Sequence, residues 1–414
     1  GGSIGVANVV TDHSAVADGT LGGSNTNNTA AFQAAVNTGK HVFIPAGDYE
    51  LVGKIVVSTS GQKIFGEGDG RTRLMPHSGS HGGSPHTSIG VADEGVFTVT
   101  VGVREPGPEF HDFQILFHQP TAPVDRAALY TQPDAFNIVK VPRCEFHNLR
   151  IIQGMNGIIF KPDAAGVSET LGNSGGSFLN NIKMSCFKEN ISFDGFQDSM
   201  RLNNIHIWPF EFAGNAELIA IFTDLHSDSY ALNVGYVDDL KVEGLLTYGP
   251  RTHLHRGVGS NHYGVSASFT NCSFDTFGGF SMEKGIAQFS ACSFTCGNTA
   301  AHYMIEMTAA TLEQLTVLCS GCWFNEALPN SKPDSAMVWV QNGQFIVTGS
   351  RFTTIAGTPN KFIFSKQSGT PKAQSITAIG NSFSTASSLG IVIVVDTVDP
   401  SVIICNLFEG VCNP

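Results

Sequence analysis

The stretch Phe269-Thr270-Asn271-Cys272-Ser273-Phe274 shows a six-residue pattern: apolar, polar, turn-former, small or apolar, polar, apolar. This hexad returns along the chain at intervals of 20 to 36 residues. A motif that recurs at such intervals indicates a repeat architecture, in which each unit buries its apolar face by stacking on the next. We place eleven copies, which begin at Phe110, Phe146, Leu179, Leu202, Val237, Phe269, Phe289, Cys319, Val347, Ala378 and Ile403.

Aligned copies form columns of like residues. The sixth position is apolar in every copy, and the third position is mostly Asn, Asp or Gly, which tolerate left-handed backbone angles and favour sharp turns. Parallel strands about 4.8 Å apart, with like residues stacked on like, describe a parallel β-helix. The fourth position includes Cys272, Cys292 and Cys322, so we expect these cysteines to be buried free thiols.

Composition narrows the possible partners. Charged residues make up only 14% of the 414 residues, 46 residues are Gly, and the net charge is −12. An acidic field argues against nucleic acid and anionic membrane surfaces as partners. We expect no membrane insertion, because no apolar run is long enough to cross a bilayer, and we find no signal peptide.

The N-terminal segment contains a helix pattern followed by a strand. Residues 28–36, Asn-Thr-Ala-Ala-Phe-Gln-Ala-Ala-Val, predict an Asn-capped amphipathic helix that covers the open end of the coil. Together with Asp18-Gly19 and Ile44-Pro45-Ala46-Gly47-Asp48-Tyr49, this segment resembles the cap and first rung of the pectate-lyase-like β-helix superfamily. The expected fold is therefore all-β: a parallel β-helix with a short N-terminal capping helix, right-handed as the resemblance implies. We expect a cap over residues 1–60 and the β-helix over 61–414.

The stretch Asn203-Asn204-Ile205-His206-Ile207-Trp208-Pro209-Phe210 resembles one met in bacteriophage tailspikes that degrade bacterial surface polysaccharides, and so does 271–275. That resemblance implies a homotrimer on the virion tail with glycosidase or lyase activity on host capsule or lipopolysaccharide.

Two carboxylates are the leading catalytic candidates. The residue that follows each hexad is expected to point outward, and this column contains Trp208, Glu243 and Asp275 on successive copies. Two carboxylates roughly 5 Å apart would have separated pKa values and suit glycosidic-bond cleavage. An exposed acidic stripe without a catalytic role explains the same pattern. Glu211, Asp224 and Asp228, in the long segment 208–236, are the alternative carboxylates.

Several residues are candidates for substrate binding. Trp208 could stack on a sugar ring. The fifth hexad position forms a basic stripe of Gln114, Arg150, Lys183, His206 and Lys241. The segment 251–263 is locally basic and adds Arg251, His255, Arg256 and Tyr263. An anionic sugar would suit these residues, although they could equally balance nearby carboxylates.

No metal or cofactor is predicted. His77, His81 and His86, in the Gly/Ser-rich segment 76–90, lack regular metal-ligand spacing, although a site between subunits could draw on this segment.

Two other function classes remain open. A polysaccharide lyase would need a uronic acid, a base such as His206, His255 or Tyr263, and a cation such as Arg251. A non-enzymatic glycan-binding adhesin would bind without releasing product.

Overall fold

In a computed structural model, the chain is an all-β protein with two α-helices among its described residues, α1 (Thr29–Asn37) and α2 (Ala216–Thr223). It consists of two compact units, Gly1–Phe222 and Thr223–Pro414. The structure describes residues 5–23, 25–76, 95–102, 105–139, 141–161, 176–194, 196–212, 214–224, 228–254, 265–276, 279–296, 303–308, 315–326, 336–354, 361–366, 374–385, 393–396, 402–404 and 406–409. None of the helices in these ranges is long and apolar enough to span a membrane.

The described residues of the first unit include two short 3-10 helices, Arg126–Ala128 and Pro209–Phe212. Its strands are β1 (Val6–Asn8), β2 (His41–Phe43), β3 (Gly47–Leu51), β4 (Ile55–Val57), β5 (Lys63–Phe65), β6 (Thr72–Pro76), β7 (Gly95–Val99), β8 (Glu109–His111), β9 (Gln114–Leu116), β10 (Asp134–Val139), β11 (Glu145–Ile152), β12 (Asn156–Lys161), β13 (Phe178–Ser185), β14 (Glu189–Phe193) and β15 (Phe196–Ile207).

The strands of the second unit are β16 (Tyr230–Val234), β17 (Val237–Glu243), β18 (Leu246–Gly249), β19 (Arg251–Leu254), β20 (Val265–Thr270), β21 (Ser273–Thr276), β22 (Phe280–Met282), β23 (Gly285–Ser290), β24 (Ser293–Cys296), β25 (Ile305–Met307), β26 (Leu315–Ser320), β27 (Trp323–Glu326), β28 (Ala336–Val340), β29 (Gly343–Thr348), β30 (Arg351–Thr354), β31 (Lys361–Lys366), β32 (Gln374–Ile379), β33 (Ser382–Thr385), β34 (Ile393–Asp396), β35 (Val402–Ile404) and β36 (Leu407–Glu409).

Each rung of the coil has three strands. In one rung of the second unit, β20 is the first strand, β21 the second and β22 the third. They pair in parallel with β23, β24 and β25 of the next rung, with Phe269 opposite Phe289 and Phe274 opposite Phe294. Like residues therefore stack on like, and the predicted all-β parallel β-helix with a short N-terminal helix is confirmed.

The third hexad position is the turn between the first and second strands. Among the described residues, this column has positive φ angles at Asp112, Asn148, Asn181, Asn204, Asn271, Ala291, Gly321, Gly349 and Gly380. In the first unit the turn side chains bond to one another: Asn204 donates to Asn181 at 3.0 Å, Asn181 to Asn148 at 2.8 Å and Asn148 to Asp112 at 2.9 Å. The turn chemistry expected from the sequence thus occurs at these positions.

The sixth position forms a buried aromatic stack in the second unit. Phe274, Phe294, Phe324, Phe352 and Phe383 are at most 1% exposed, and neighbouring rings lie 4.4 to 4.9 Å apart in near-parallel planes. Each ring removes a large apolar surface from water and contacts the rungs on both sides. The fourth-position cysteines, Cys272, Cys292 and Cys322, are buried free thiols, as predicted.

Helix α1 covers the first strand of the third-strand sheet. Phe32, Ala35 and Val36 are buried, and the Gln33 amide exchanges hydrogen bonds with the backbone of Val56 in β4, at 2.8 and 3.0 Å. These bonds satisfy groups that an edge strand would otherwise expose.

The expected N-cap is wrong in detail. The Asn28 side chain does not cap the helix; it bonds to the backbone of Val16 and Thr26 instead.

One predicted hexad is out of register. The copy placed at Val237 is wrong, because Val242 lies opposite Phe269 and Glu243 opposite Thr270. The turn is made by Gly244, whose φ is 64°, and not by Asp239. The true copy is Val242-Glu243-Gly244-Leu245-Leu246-Thr247, and Thr247 lies opposite Phe274 in the buried column. This five-residue shift changes where every candidate in that rung lies.

Candidate active site

The shift separates the leading catalytic pair. Glu243 is exposed on a first strand, opposite Thr270, whereas Asp275 lies on a second strand opposite Tyr248. The predicted stacking of Glu243 on Asp275 is therefore wrong. Burial raises the pKa of Asp275, and burial together with the charge of Asp275 raises the pKa of Tyr248.

The other predicted carboxylates lie in the segment 208–236, between β15 and β16. Asp224 and Asp228 are exposed, and Glu211 belongs to the 3-10 helix Pro209–Phe212 but its side chain is outside the described part of the structure.

Four members of the predicted basic stripe, Gln114, Arg150, Lys183 and His206, are aligned on neighbouring strands. In the first unit, Arg150 lies opposite Gln114 and Lys183, and Lys183 lies opposite His206. Asp69 approaches this stripe, with its Oδ2 3.7 Å from Arg150 Nε and 3.8 Å from Lys183 Nζ.

His206 and Trp208 are partly exposed neighbours whose ring centroids are 5.6 Å apart. Lys241 does not belong to the stripe. It lies opposite Ser268 on a first strand and forms an ion pair with Asp239 at 3.0 Å.

Six further candidates lie outside the described residues: His255, Arg256, Tyr263, His77, His81 and His86. Within the described part of the chain, no group of three or more His, Cys, Asp or Glu side chains could hold a metal ion.

A different cluster lies on the third strands of the second unit. The outward positions of five consecutive strands, β16, β19, β22, β25 and β28, place Asn233, His253, Ser281, Glu306 and Trp339 in one column. Each residue in the middle of the column lies between buried neighbours; Glu306, for example, is flanked by Ile305 and Met307, both fully buried. Five strands span roughly 19 Å. We call this column, together with the side chains that contact it, the third-strand face.

Glu306 is a partly buried carboxylate of this face and lies beside a guanidinium. Its side chain is 21% exposed, and Oε2 lies 3.8 Å from Nη2 of Arg251, two rungs away on β19. Burial raises the pKa of Glu306, and the positive charge of Arg251 partly opposes that rise. A carboxyl group with a raised pKa can remain protonated nearer to neutral pH and serve as a general acid.

Glu283 is the second carboxylate of the face. It directly follows β22 and continues the ladder, because its N–H donates to Leu254 O at 3.0 Å and Thr308 N–H donates to Met282 O at 3.0 Å. Ser281 lies opposite Glu306, so Glu283 is two residues further along the neighbouring strand. From the strand spacing and the rise per residue, the two glutamates are roughly 8 Å apart at the backbone. The Glu283 side chain is 43% exposed and can reach solvent.

His253 connects the polar groups. Its Nδ1 lies 2.5 Å from Ser281 Oγ, and its Nε2 lies 3.7 Å from Glu283 Oε1. Tyr230 stacks on the imidazole with centroids 5.7 Å apart. Next to Glu306, Tyr303 packs on Trp339 at 4.8 Å. The face therefore combines two carboxylates, an imidazole, a guanidinium and aromatic rings within one stretch of the coil.

Only Arg251 of this cluster was a candidate from sequence. The hexad marks the first two strands of a rung and carries no information on the third. A weaker signal was present: a polar or aromatic residue lies between two core residues in Thr252-His253-Leu254, Phe280-Ser281-Met282, Ile305-Glu306-Met307 and Val338-Trp339-Val340.

Comparison with known proteins supports the fold. No family model matches the chain, and no curated protein matches it. Solved structures do match over nearly the whole chain. The A-module of an Azotobacter vinelandii mannuronan C-5 epimerase is 12% identical, covers 97% of this chain and 99% of its own, and gives a TM-score of 0.63.

Two further matches are proteins of other kinds. The tailspike protein gp49 of Pseudomonas phage LKA1 is 14% identical, over 92% of this chain and 74% of its own, with a TM-score of 0.59. The catalytic unit of an α-1,3-glucanase from Streptomyces thermodiastaticus is 12% identical, over 98% of this chain and 69% of its own, with a TM-score of 0.51. At these identities the matches establish the architecture, and the chain is a parallel β-helix protein.

Proposed function

We propose that this protein is a tailspike-type depolymerase that hydrolyses glycosidic bonds of a bacterial surface polysaccharide. The observation that carries the proposal is the pair Glu306 and Glu283 on the third-strand face, one carboxylate shielded and the other open to solvent. The structural similarity to a phage tailspike and to a glucanase supports a glycan as substrate. Capsule or O-antigen as the glycan, attachment to a virion tail, and a homotrimeric state belong to the same proposal.

Each carboxylate has a distinct role in the proposed reaction. Glu306 donates a proton to the glycosidic oxygen, a role that suits a carboxyl group whose pKa is raised by burial. Glu283 takes a proton from the water that attacks the anomeric carbon. Attack by water on the face opposite the leaving group inverts the anomeric configuration, and this route needs about 6.5 to 9.5 Å between the two carboxyl groups, which leaves room for the water.

The remaining polar groups position substrate and carboxylates. The His253 ring lies between Ser281, to which it is hydrogen-bonded, and Glu283, whose carboxylate is 3.7 Å away, so it favours an orientation of the proposed base toward this ring. Trp339 and Tyr303 offer flat apolar surfaces next to the proposed acid. Sugar rings present C–H groups on their faces, and these pack on the electron-rich faces of aromatic rings.

Digestion of a panel of capsular and O-antigen polysaccharides tests this proposal. The parent protein is expected to release oligosaccharides from one of them. Glu306→Gln and Glu283→Gln should each reduce the rate at least about 100-fold, since general acid–base catalysis contributes about that much or more. Glu217→Gln, an exposed change on α2, is the matched control and should cut like the parent.

Two outcomes would contradict the assignment. If Glu306→Gln cuts as fast as the parent while Asp275→Asn does not cut, catalysis belongs to the second strands, with Asp275 beside Tyr248. If no polysaccharide is cut but one binds tightly, the protein is an adhesin.

A lyase is the second candidate, and one observation favours it. Arg251 and His253 are two residues apart on β19 and face the same side, and Tyr230 stacks on His253. A guanidinium can neutralise a uronate carboxylate while the imidazole removes the adjacent proton. β-Elimination leaves an unsaturated sugar that absorbs ultraviolet light, so absorbance during digestion separates lyase from hydrolase.

A further inference from the structure

Trp323 is the most exposed aromatic side chain of the described core strands. It begins β27, its residue is 46% exposed, and the next residue, Phe324, is fully buried in the aromatic stack. Alternation along a strand explains both values, because neighbouring residues point to opposite faces. Trp is enriched at binding surfaces, because its indole offers a large apolar face together with a polar N–H.

The exposed indole is held in place before any ligand arrives. Its Nε1–H donates to Thr353 Oγ1 at 2.7 Å, and Thr353 Oγ1 donates to the Phe324 carbonyl at 3.3 Å. The two bonds tie the ring to the neighbouring rung. A side chain fixed in this way loses little conformational entropy on binding, so more of its contact energy becomes affinity.

The surroundings of Trp323 are hydroxyl and amide groups. Two outward columns run over the second strands β24, β27, β30 and β33, and we call them the second-strand face: Ser293, Trp323, Arg351 and Ser382 in one, Thr295, Asn325, Thr353 and Ser384 in the other. Ser293 also donates to Ser273 Oγ at 2.9 Å on the previous rung. Within these four strands Arg351 is the only charged member, and Asp275 and Glu409 continue the second column on β21 and β36.

This composition selects the kind of partner. An interface between protein subunits is expected to have an apolar centre, and eight positions with a single indole do not supply one. Nucleic acid requires several cations, and only Arg351 is present. A glycan fits, because its rings stack on the indole while its hydroxyls exchange hydrogen bonds with Ser, Thr and Asn. Four strands span roughly 14 Å, enough for a short run of sugars.

We propose that the second-strand face is a separate, non-catalytic binding site for the glycan that the third-strand face cuts, with Trp323 as its anchor. The inference rests on the proposed function for the identity of the glycan. A second contact keeps a long polymer attached between cleavage events, so avidity for polymer exceeds affinity for short fragments.

The site is tested by measuring how a variant that does not cleave, Glu306→Gln, binds intact polysaccharide. The same panel of capsular and O-antigen polysaccharides is immobilised, and Glu306→Gln is compared with Glu306→Gln/Trp323→Ala and Glu306→Gln/Trp323→Phe. We expect the Ala variant to bind the recognised polymer at least about tenfold more weakly, because buried Trp contacts commonly dominate binding. The Phe variant keeps a ring and should lose less.

A second measurement separates binding from catalysis. In the active protein, which keeps Glu306, Trp323→Ala should slow cleavage of long polymer at low concentration. It should leave cleavage of a dimer of the repeat unit unchanged. If the Ala variant binds polymer as tightly as its control, this inference is wrong while the proposed function stands. If Glu306→Gln binds no polymer although the parent cuts one, this inference is wrong and the proposed function stands; if the parent neither cuts nor binds any polymer, both are wrong. If Trp323→Ala changes the oligomeric state in light scattering, the face is an interface between copies of this chain and the glycan site is wrong.

Discussion

The Arg251 guanidinium lies 3.8 Å from the Glu306 carboxylate, although a whole strand, β22, separates the strands that carry them. The contact is diagonal across β22, because Arg251 lies two residues before His253, the residue in register with Ser281 and Glu306. Arg251 therefore acts on the charge state of Glu306, opposing the rise in pKa that burial causes. This relationship gives the proposed site a measurable pH signature.

Arg251→Gln is expected to move the pH dependence of cleavage. Removing the guanidinium leaves burial unopposed, so the pKa of Glu306 rises further. If Glu306 must be protonated to act, activity falls as pH rises through that pKa, and the alkaline limb of kcat/KM should shift to higher pH. Arg251→Lys keeps the charge and should shift less. A shift to lower pH in the Gln variant would contradict the assignment of Glu306 as the acid.

Ionisation of Glu306 is also expected to lower the free energy of unfolding at high pH. Its folded-state pKa is raised above that of the unfolded chain, so its favourable contribution is present below the unfolded pKa and disappears as pH rises through the folded pKa. Glu306→Gln cannot ionise and should gain in melting temperature over the parent as pH increases. The attraction of Arg251 acts only on the ionised form of Glu306 and is already part of the net rise in its pKa, so the sign of the expected melting-temperature difference does not change. A melting-temperature difference that is the same at acidic and alkaline pH would contradict the burial of this carboxylate.

The sequence predicts the coil well because its strongest constraints are local. Nearly every described rung has an apolar sixth position and a turn-former at the third, and both can be recognised without knowing what lies opposite. The rung at Val242 fails this test for a physical reason. Thr247 replaces the apolar residue of the sixth position, whereas Val237-Asp238-Asp239-Leu240-Lys241-Val242 satisfies the pattern by chance. Hydrogen bonding between rungs decides between the two, and that information is not local.

The corrected register can be tested with engineered cysteines. Glu243 and Thr270 are opposite residues on neighbouring strands and are both exposed, so Glu243→Cys/Thr270→Cys should form a disulfide. Glu243→Cys/Asp275→Cys should not, because Asp275 lies opposite Tyr248, beyond the Gly244 turn. Intact mass after alkylation without reductant reports the bond. Six native cysteines are buried free thiols, and Cys296, Cys405 and Cys412 are changed to Ser in both double variants so that they cannot compete. A disulfide in the second pair alone would restore the sequence-based register.

The candidate site was less predictable than the fold, because its residues come from strands that obey no motif. Glu306, Ser281 and Trp339 need only point outward, so the repeat places no demand on their type. Their spacing in sequence depends on the lengths of the segments between rungs, which vary. Only the pairing of third strands brings them together, and conservation of a sequence pattern within one chain cannot show that.

Two positions in the turn column allow a test of backbone strain. Ala291 has a φ of 53°, and the equivalent residue of the next rung, Gly321, has a φ of 61°. A left-handed conformation costs a residue with a side chain roughly 1–2 kcal/mol, while glycine loses roughly 0.5–1 kcal/mol in chain entropy on folding. Ala291→Gly should therefore raise the free energy of unfolding by up to about 1 kcal/mol, and Gly321→Ala should lower it by a similar amount.

A Cβ at Gly321 would meet no atom within 4 Å, so the cost there is conformational and not steric. Gly70→Ala is the matched control, since Gly70 has open space but no positive φ and should lose nothing. Urea unfolding midpoints measure all three, and the double variant Ala291→Gly/Gly321→Ala should return to the parent value. A destabilised Ala291→Gly would show that this rung turns by a different backbone path.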